Sequence, residues 1–183
     1  MIKITNQKIT KELALKRALL AFLLAIVAFV VASFVTKKIV IAGGGSVPYY
    51  VFLKSNKSPE KGDYVVLKTS ENDEFAQGKV MVKRVTCVGG EVLKIVDLDY
   101  YCCKTAEDDF NSCVHLGKAK LYSKTGKRVF PFNPCGSNLC VVEIPKGKFF
   151  VVNSHVDSYD SRYFGFVSQD GDYKILYTVR PLL

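Results

Sequence analysis

The chain has 183 residues, of which 49% are hydrophobic, 12% aromatic and 23% charged, with a formal net charge of +9. That is enough for one modest domain once an anchor is set aside, and the apolar share excludes a disordered tail. The basic residues are scattered, not gathered in a recognition helix or an aromatic-flanked RNA motif, so no nucleic-acid partner is expected; an anionic membrane surface accounts for the charge at least as well.

In chain order, the first strong signal is the run from Ala18 to Val35, whose only polar residue is Ser33. At the helical rise it spans roughly 27 Å, close to the hydrocarbon thickness of a bilayer. A buried core helix of that length needs a polar face, and none is present. Lys16 and Arg17 precede the run and Lys37 and Lys38 follow it. Before it stand Lys3, Lys8 and Lys11 against the single acid Glu12. The positive-inside rule puts residues 1–17 in the cytoplasm, 18–36 across the bilayer as an anchor, and 37–183 outside. The run exceeds a signal-peptide core and lacks good small-x-small cleavage positions, which favours an uncleaved anchor.

A link with Gly43, Gly44 and Gly45 follows. Beyond it the chain reads as β-branched and aromatic runs bounded by glycine turns. These are Tyr64–Leu67 after the turn at Lys61-Gly62-Asp63, Lys79–Val88, Val92–Val96 after Gly89-Gly90, Val141-Val142, Phe149–Val152 after Pro145-Lys146-Gly147, and Lys174–Val179. They predict a mainly β domain. The polar, cysteine-bearing stretch at about 100–140 reads as a stapled insertion or hairpin.

All six cysteines lie beyond the anchor. An even count in an exported chain points to disulfides. Cys135 and Cys140 bracket a short turn and are one plausible pair; Cys113 pairs with Cys102 or Cys103, leaving the other for Cys87. Without a CxxC, and with His115 and His155 lacking partners at ligand spacing, a metal is disfavoured.

For catalysis the chain offers no GxSxG elbow and no histidine in a triad-like context. A lysine serves as a base if burial lowers its pKa. Strand alternation puts Met81, Lys83, Val85 and Cys87 on one face, so Lys83 sits among apolar neighbours. Alone, it reads first as an edge-strand charge that discourages aggregation. Four segments taken together reverse that reading: Gly45-Ser46-Val47-Pro48; Lys61-Gly62-Asp63-Tyr64-Val65-Val66; Val82-Lys83-Arg84-Val85 with Gly89-Gly90-Glu91; and Asn153 through Ser158-Tyr159-Asp160-Ser161-Arg162-Tyr163-Phe164-Gly165.

In this order, from about Ala18 to the C-terminus, the chain resembles the signal-peptidase I family of Ser–Lys proteases. The S-x-P spacing at Ser46, and Lys124-Thr125-Gly126-Lys127-Arg128 leading to Pro131, look like its conjugative-transfer, TraF-like branch. The resemblance implies a signal-peptidase-like β catalytic domain behind one transmembrane helix. It implies Ser46 as nucleophile, Lys83 as general base, Ser158 as the group orienting the lysine, and Asp160 and Arg162 as a supporting pair, with no cofactor. The expected substrate is an exported precursor, pilin above all, cleaved at the outer face of a bacterial inner membrane by a chain held in the lipid bilayer. The sequence departs from the family at Gly44, where many members carry a hydroxyl donor to the oxyanion, at Val47 in place of methionine, and at Tyr50 where the conjugative branch often has glycine. Two other readings share these features: a catalytically inactive membrane-tethered β module that scaffolds a secretion apparatus, and a self-cleaving Ser–Lys regulator. The anchor and the exported cysteines argue against the latter.

Overall fold

The computed structural model describes residues 2–43 and 47–182, the side chains of 2–12 excepted. The chain divides into two compact units, Met1–Ile39 and Val40–Leu183.

The first unit is a single helix, α1 (Ile2–Lys38). It continues through the residues ahead of the expected anchor, because neither proline nor glycine interrupts 2–38. Its segment Leu13–Lys38 has a most apolar window of mean hydropathy 3.0 with no buried share, so it is long and apolar enough to cross a membrane. The polar side chains at its end are satisfied internally. Ser33 donates its hydroxyl to the Phe29 carbonyl (2.8 Å) and Thr36 to that of Ala32 (3.0 Å), which suits an apolar solvent.

The second unit is built from two antiparallel sheets. Its strands are β1 (Ile39–Ile41), β2 (Val51–Ser55), β3 (Tyr64–Lys68), β4 (Val80–Val88), β5 (Val92–Val96), β6 (Asp99–Cys103), β7 (Val114–Lys118), β8 (Leu139–Glu143), β9 (Phe149–Val151) and β10 (Lys174–Pro181). One sheet has the order β1-β2-β10-β3-β4-β9 and the other β7-β6-β5-β8. Strand β3 has a continuous apolar run, Val65–Leu67, because both its faces are covered there. Val65 and Leu67 enter one cluster with Val85, Val151, Val167 and Ile175, while Val66 enters another with Phe52, Val47 and Val179. A third cluster, around Tyr100, Leu93, Ile95 and Phe150, lies over the second sheet.

Strand β4 connects these parts. Its first half pairs with β3, Lys83 opposite Val65, and its second half with β9, with a register shift between Val85 and Cys87. It then turns through Gly89-Gly90-Glu91 into β5. A Cβ at Gly89 would stand 2.8 Å from the Pro145 carbonyl oxygen, so the turn needs glycine for close approach. Glu91 holds it by accepting from the Val88 N–H (2.9 Å) and pairing with Lys61 (2.5 Å). The cysteines bond as Cys87–Cys102, Cys103–Cys113 and Cys135–Cys140. This resolves the choice left open for Cys87 and Cys113, and the first bridge ties β4 to the second sheet. The stretch at 100–140 is not set apart from the domain: β6 pairs with β5 over five residues, and Cys103–Cys113 staples the loop between β6 and β7.

Candidate active site

Lys83 is only 4% exposed although it belongs to a strand pair whose neighbours Val80 and Arg84 face solvent. Alternation turns its side chain inward with Met81 and Val85. Its Nζ lies 2.7 Å from Ser158 Oγ, 75 residues along the chain. Burial pushes the Lys83 ammonium down from 10.5 to about 8; the Asp160 carboxylate opposes that shift and the Arg162 guanidinium adds to it.

Ser158, Asp160 and Arg162 come from one loop and the short helix that follows it, α2 (Ser161–Phe164). Asp160 caps this helix, accepting from the Arg162 N–H (3.2 Å). The same carboxylate takes the Arg162 guanidinium in a two-point pair, Nε to Oδ1 at 2.9 Å and Nη2 to Oδ2 at 2.8 Å, with both side chains fully or nearly fully buried. Arg162 also donates to the Ser158 carbonyl (3.5 Å) and to that of Lys118 on β7 (3.3 Å). The buried Tyr100 hydroxyl donates to the Arg162 carbonyl (2.9 Å). Gly165 ends α2 at φ 77°, where a Cβ would meet the Phe132 ring at 2.6 Å. The D-S-R-Y-F-G segment is thus a cap, an ion pair and a tight stop that together hold Ser158 against Lys83.

Two further residues brace the site: Asn153, which opens the last family segment with no role assigned to it by the resemblance, and Asp73, which does not stand out in the sequence. Asn153 follows β9 and clamps β4 across from β3: its Oδ1 accepts from the Arg84 N–H (3.1 Å) and its Nδ2 donates to the Val82 carbonyl (3.1 Å). Asp73 accepts the hydroxyls of Tyr159 (3.0 Å) and Tyr173 (2.9 Å) on one carboxylate oxygen, pinning the residue after Ser158. An asparagine after a strand and an aspartate in an acidic loop carry no sequence signal of such roles.

Ser46, with Gly44 and Gly45, lies outside the described residues. The loop that carries it is fixed at its base, where the Ala42 N–H donates to the Tyr50 carbonyl (2.9 Å). Val47 is buried in a cluster against which Val82, the neighbour of Lys83, packs. Among the described residues no strand pairs with the edge of β4 over Val80–Val82 on the side away from β3. Two clefts flank β4. One of about 730 Å³ includes Met81 and Tyr159; another of about 400 Å³ includes Arg84, Thr86, Pro48 and Asn153. For a metal, the donors of Cys87, Glu91 and Cys102 lie within 4.8 Å of one another, but both sulfurs are joined in the disulfide.

Residues 14–172 match the family model of signal peptidases, peptidase S26. Among solved structures, a signal peptidase I from Enterococcus faecalis V583 is similar at 25% identity, over 67% of this chain and 99% of that one, with a TM-score of 0.36. No curated protein matches. The family match covers both the apolar helix and the strand and loop segments that bring Lys83, Ser158, Asp160 and Arg162 together; the chain belongs to the signal peptidase family, peptidase S26.

Proposed function

We propose that this chain is a membrane-anchored serine endopeptidase that removes signal or leader peptides from exported precursors with a Ser46–Lys83 dyad. The observation that carries this reading is the buried Lys83, held at 2.7 Å by Ser158 and drawn to a pKa of about 8, where about a tenth of it is neutral near pH 7, far more than for an ordinary lysine. A lysine kept only for structure gains nothing from such burial.

The edge of β4 at Val80, ahead of the Val82 carbonyl taken by Asn153 and paired with no strand among the described residues, supports binding of the substrate as an added strand. Ser46 Oγ then attacks the scissile carbonyl while neutral Lys83 takes the hydroxyl proton. The tetrahedral oxyanion is met by the Ser46 backbone N–H. The lysine passes its proton to the departing amine, leaving an acyl-enzyme at Ser46. A water deprotonated by Lys83 attacks that ester and restores both groups. Ser158 fixes the lysine, and the Asp160–Arg162 pair fixes Ser158. Helix α1 serves as the anchor in the bacterial inner membrane, its basic N-terminal end cytoplasmic and the β unit outside.

The S-V-P spacing and the Lys124–Arg128 segment support a conjugative pilin precursor as the substrate. The test is co-expression of two precursors, a general secreted protein and a conjugative pilin, each with wild type, Ser46→Ala or Lys83→Ala. Mature product is followed by mass. Cleavage by wild type should fall at least ~1,000-fold in both variants, as expected when a nucleophile or its base is lost. Processing that survives both substitutions overturns the dyad, and failure to process pilin while the general precursor is cut overturns the pilin assignment alone.

A further inference from the structure

The 730 Å³ cleft has a character that a bare dyad does not require. One wall carries Met81, two residues before Lys83 on the same face of β4 and so about 7 Å along the strand from it. Tyr159, next to Ser158, stands on that wall as well. The cleft therefore opens on the lysine's side of the strand, lined by the residue next to Ser158 and by the same-face neighbour of Lys83. The second wall is the turn closed by the Tyr122–Arg128 bridge.

The charge of this lining is unbalanced. Four lysines, at 79, 120, 124 and 127, face two carboxylates, Glu74 and Asp157. Asp157 is already taken up, pairing with Lys120 at 2.5 Å and Lys124 at 3.1 Å, and these pairs hold its carboxyl below the usual range. Lys127 lies over the Phe75 ring at 4.3 Å, and no ion pair is formed by the Lys79 side chain among the described residues. A concave site with excess positive charge on aromatic walls suits a carboxylate on a short aliphatic stem.

We propose that this cleft is a specificity subsite that takes an acidic side chain of the precursor within about three residues of the scissile bond. The proposal rests on the proteolytic reading above. Lys79 and Lys127 supply the charge, and Phe75 and Tyr159 take the stem. Opposite charge at a partly enclosed rim discriminates among partners more than it adds raw affinity, so the effect belongs in relative kcat/KM.

The test uses the purified full chain in detergent micelles and internally quenched peptides built on the cleavage region of one processed precursor. Each of three positions on either side of the scissile bond is replaced in turn by Glu, Ala or Lys. At one position Glu should exceed Ala by on the order of 10-fold in kcat/KM and Lys should fall below it, with the spread shrinking as salt is raised. In the Lys79→Glu, Lys127→Glu double variant, shown to be folded by circular dichroism, the order of Glu and Lys at that position should invert. Cleavage with no acidic preference at any position, or a preference left intact by the double variant, overturns the subsite. Cleavage of none of the peptides by wild type overturns the peptidase reading and the subsite with it.

Discussion

Burying Lys83 sets its chemistry and weakens the fold by the same physics. An ammonium at 4% exposure loses its hydration, and Ser158 returns one hydrogen bond. Its folded pKa of about 8 lies below the unfolded value of 10.5, so the folded state binds fewer protons between these limits. Stability therefore rises as pH increases from about 8 to above 10, and below 8 the chain carries the full cost of a buried charge. Lys83→Met should accordingly raise unfolding stability near pH 7 by about 3 kcal/mol while abolishing cleavage, with the gain disappearing above pH 10. Chemical denaturation at both pH values checks it. Asp160 acts on the same lysine in the opposite sense to burial. Asp160→Asn should move the rising limb of the pH–activity profile below 8 in the folded fraction, because the carboxylate that favours the ammonium is gone and Arg162 is left uncompensated. A limb that stays put or moves upward contradicts this. In the sequence, alternation places Lys83 among apolar residues on one strand face, but only the four family segments taken together turn it from an edge-strand charge into a base. Its partner Ser158 was legible only through the family resemblance, because nothing local marks one serine in a polar loop as the neighbour of a strand 75 residues away.

At the scale of elements, the family segments turn out to be local devices that position one another. The Gly89 turn lets β4 pass closely over the 145–147 turn, and α2 is closed by Asp160 at one end and Gly165 at the other. Gly165→Ala should destabilise the unit by ~1–3 kcal/mol, since φ 77° disfavours a side chain and the added Cβ meets the Phe132 ring at 2.6 Å. The midpoint of denaturant unfolding reads it, and an unchanged midpoint would show that the ring moves aside without cost. Strands β3, β4, β5 and β10 were legible because their β-branched runs are bounded by clear turns. Strand β2 was not, as its Val-Phe-Leu is short and ends in Lys54 and Ser55. Strand β6 was hidden because adjacent cysteines and flanking acids look like an irregular insertion, whereas here Tyr100, Cys102 and Cys103 are all buried. The alternation on β6 emerges only once β5 is known to lie beside it.

At the scale of the whole molecule, the apolar helix and the disulfide-bonded β unit support the proposed placement at a membrane surface outside the reducing cytoplasm. The full chain should stay with membranes after alkaline carbonate extraction. In intact spheroplasts, added protease should degrade epitopes beyond residue 40 and spare one at the N-terminus. Protection of the β unit instead would reverse the proposed orientation. The central claim, that Lys83 is the base for Ser46, is met most directly by the pH dependence of kcat/KM on a single peptide substrate. The account predicts a rate that climbs about tenfold per pH unit below 8 and levels above it, following the free enzyme's lysine. A profile flat from pH 6 to 9, or one governed by a group titrating near 6.5 as a histidine does, would contradict it.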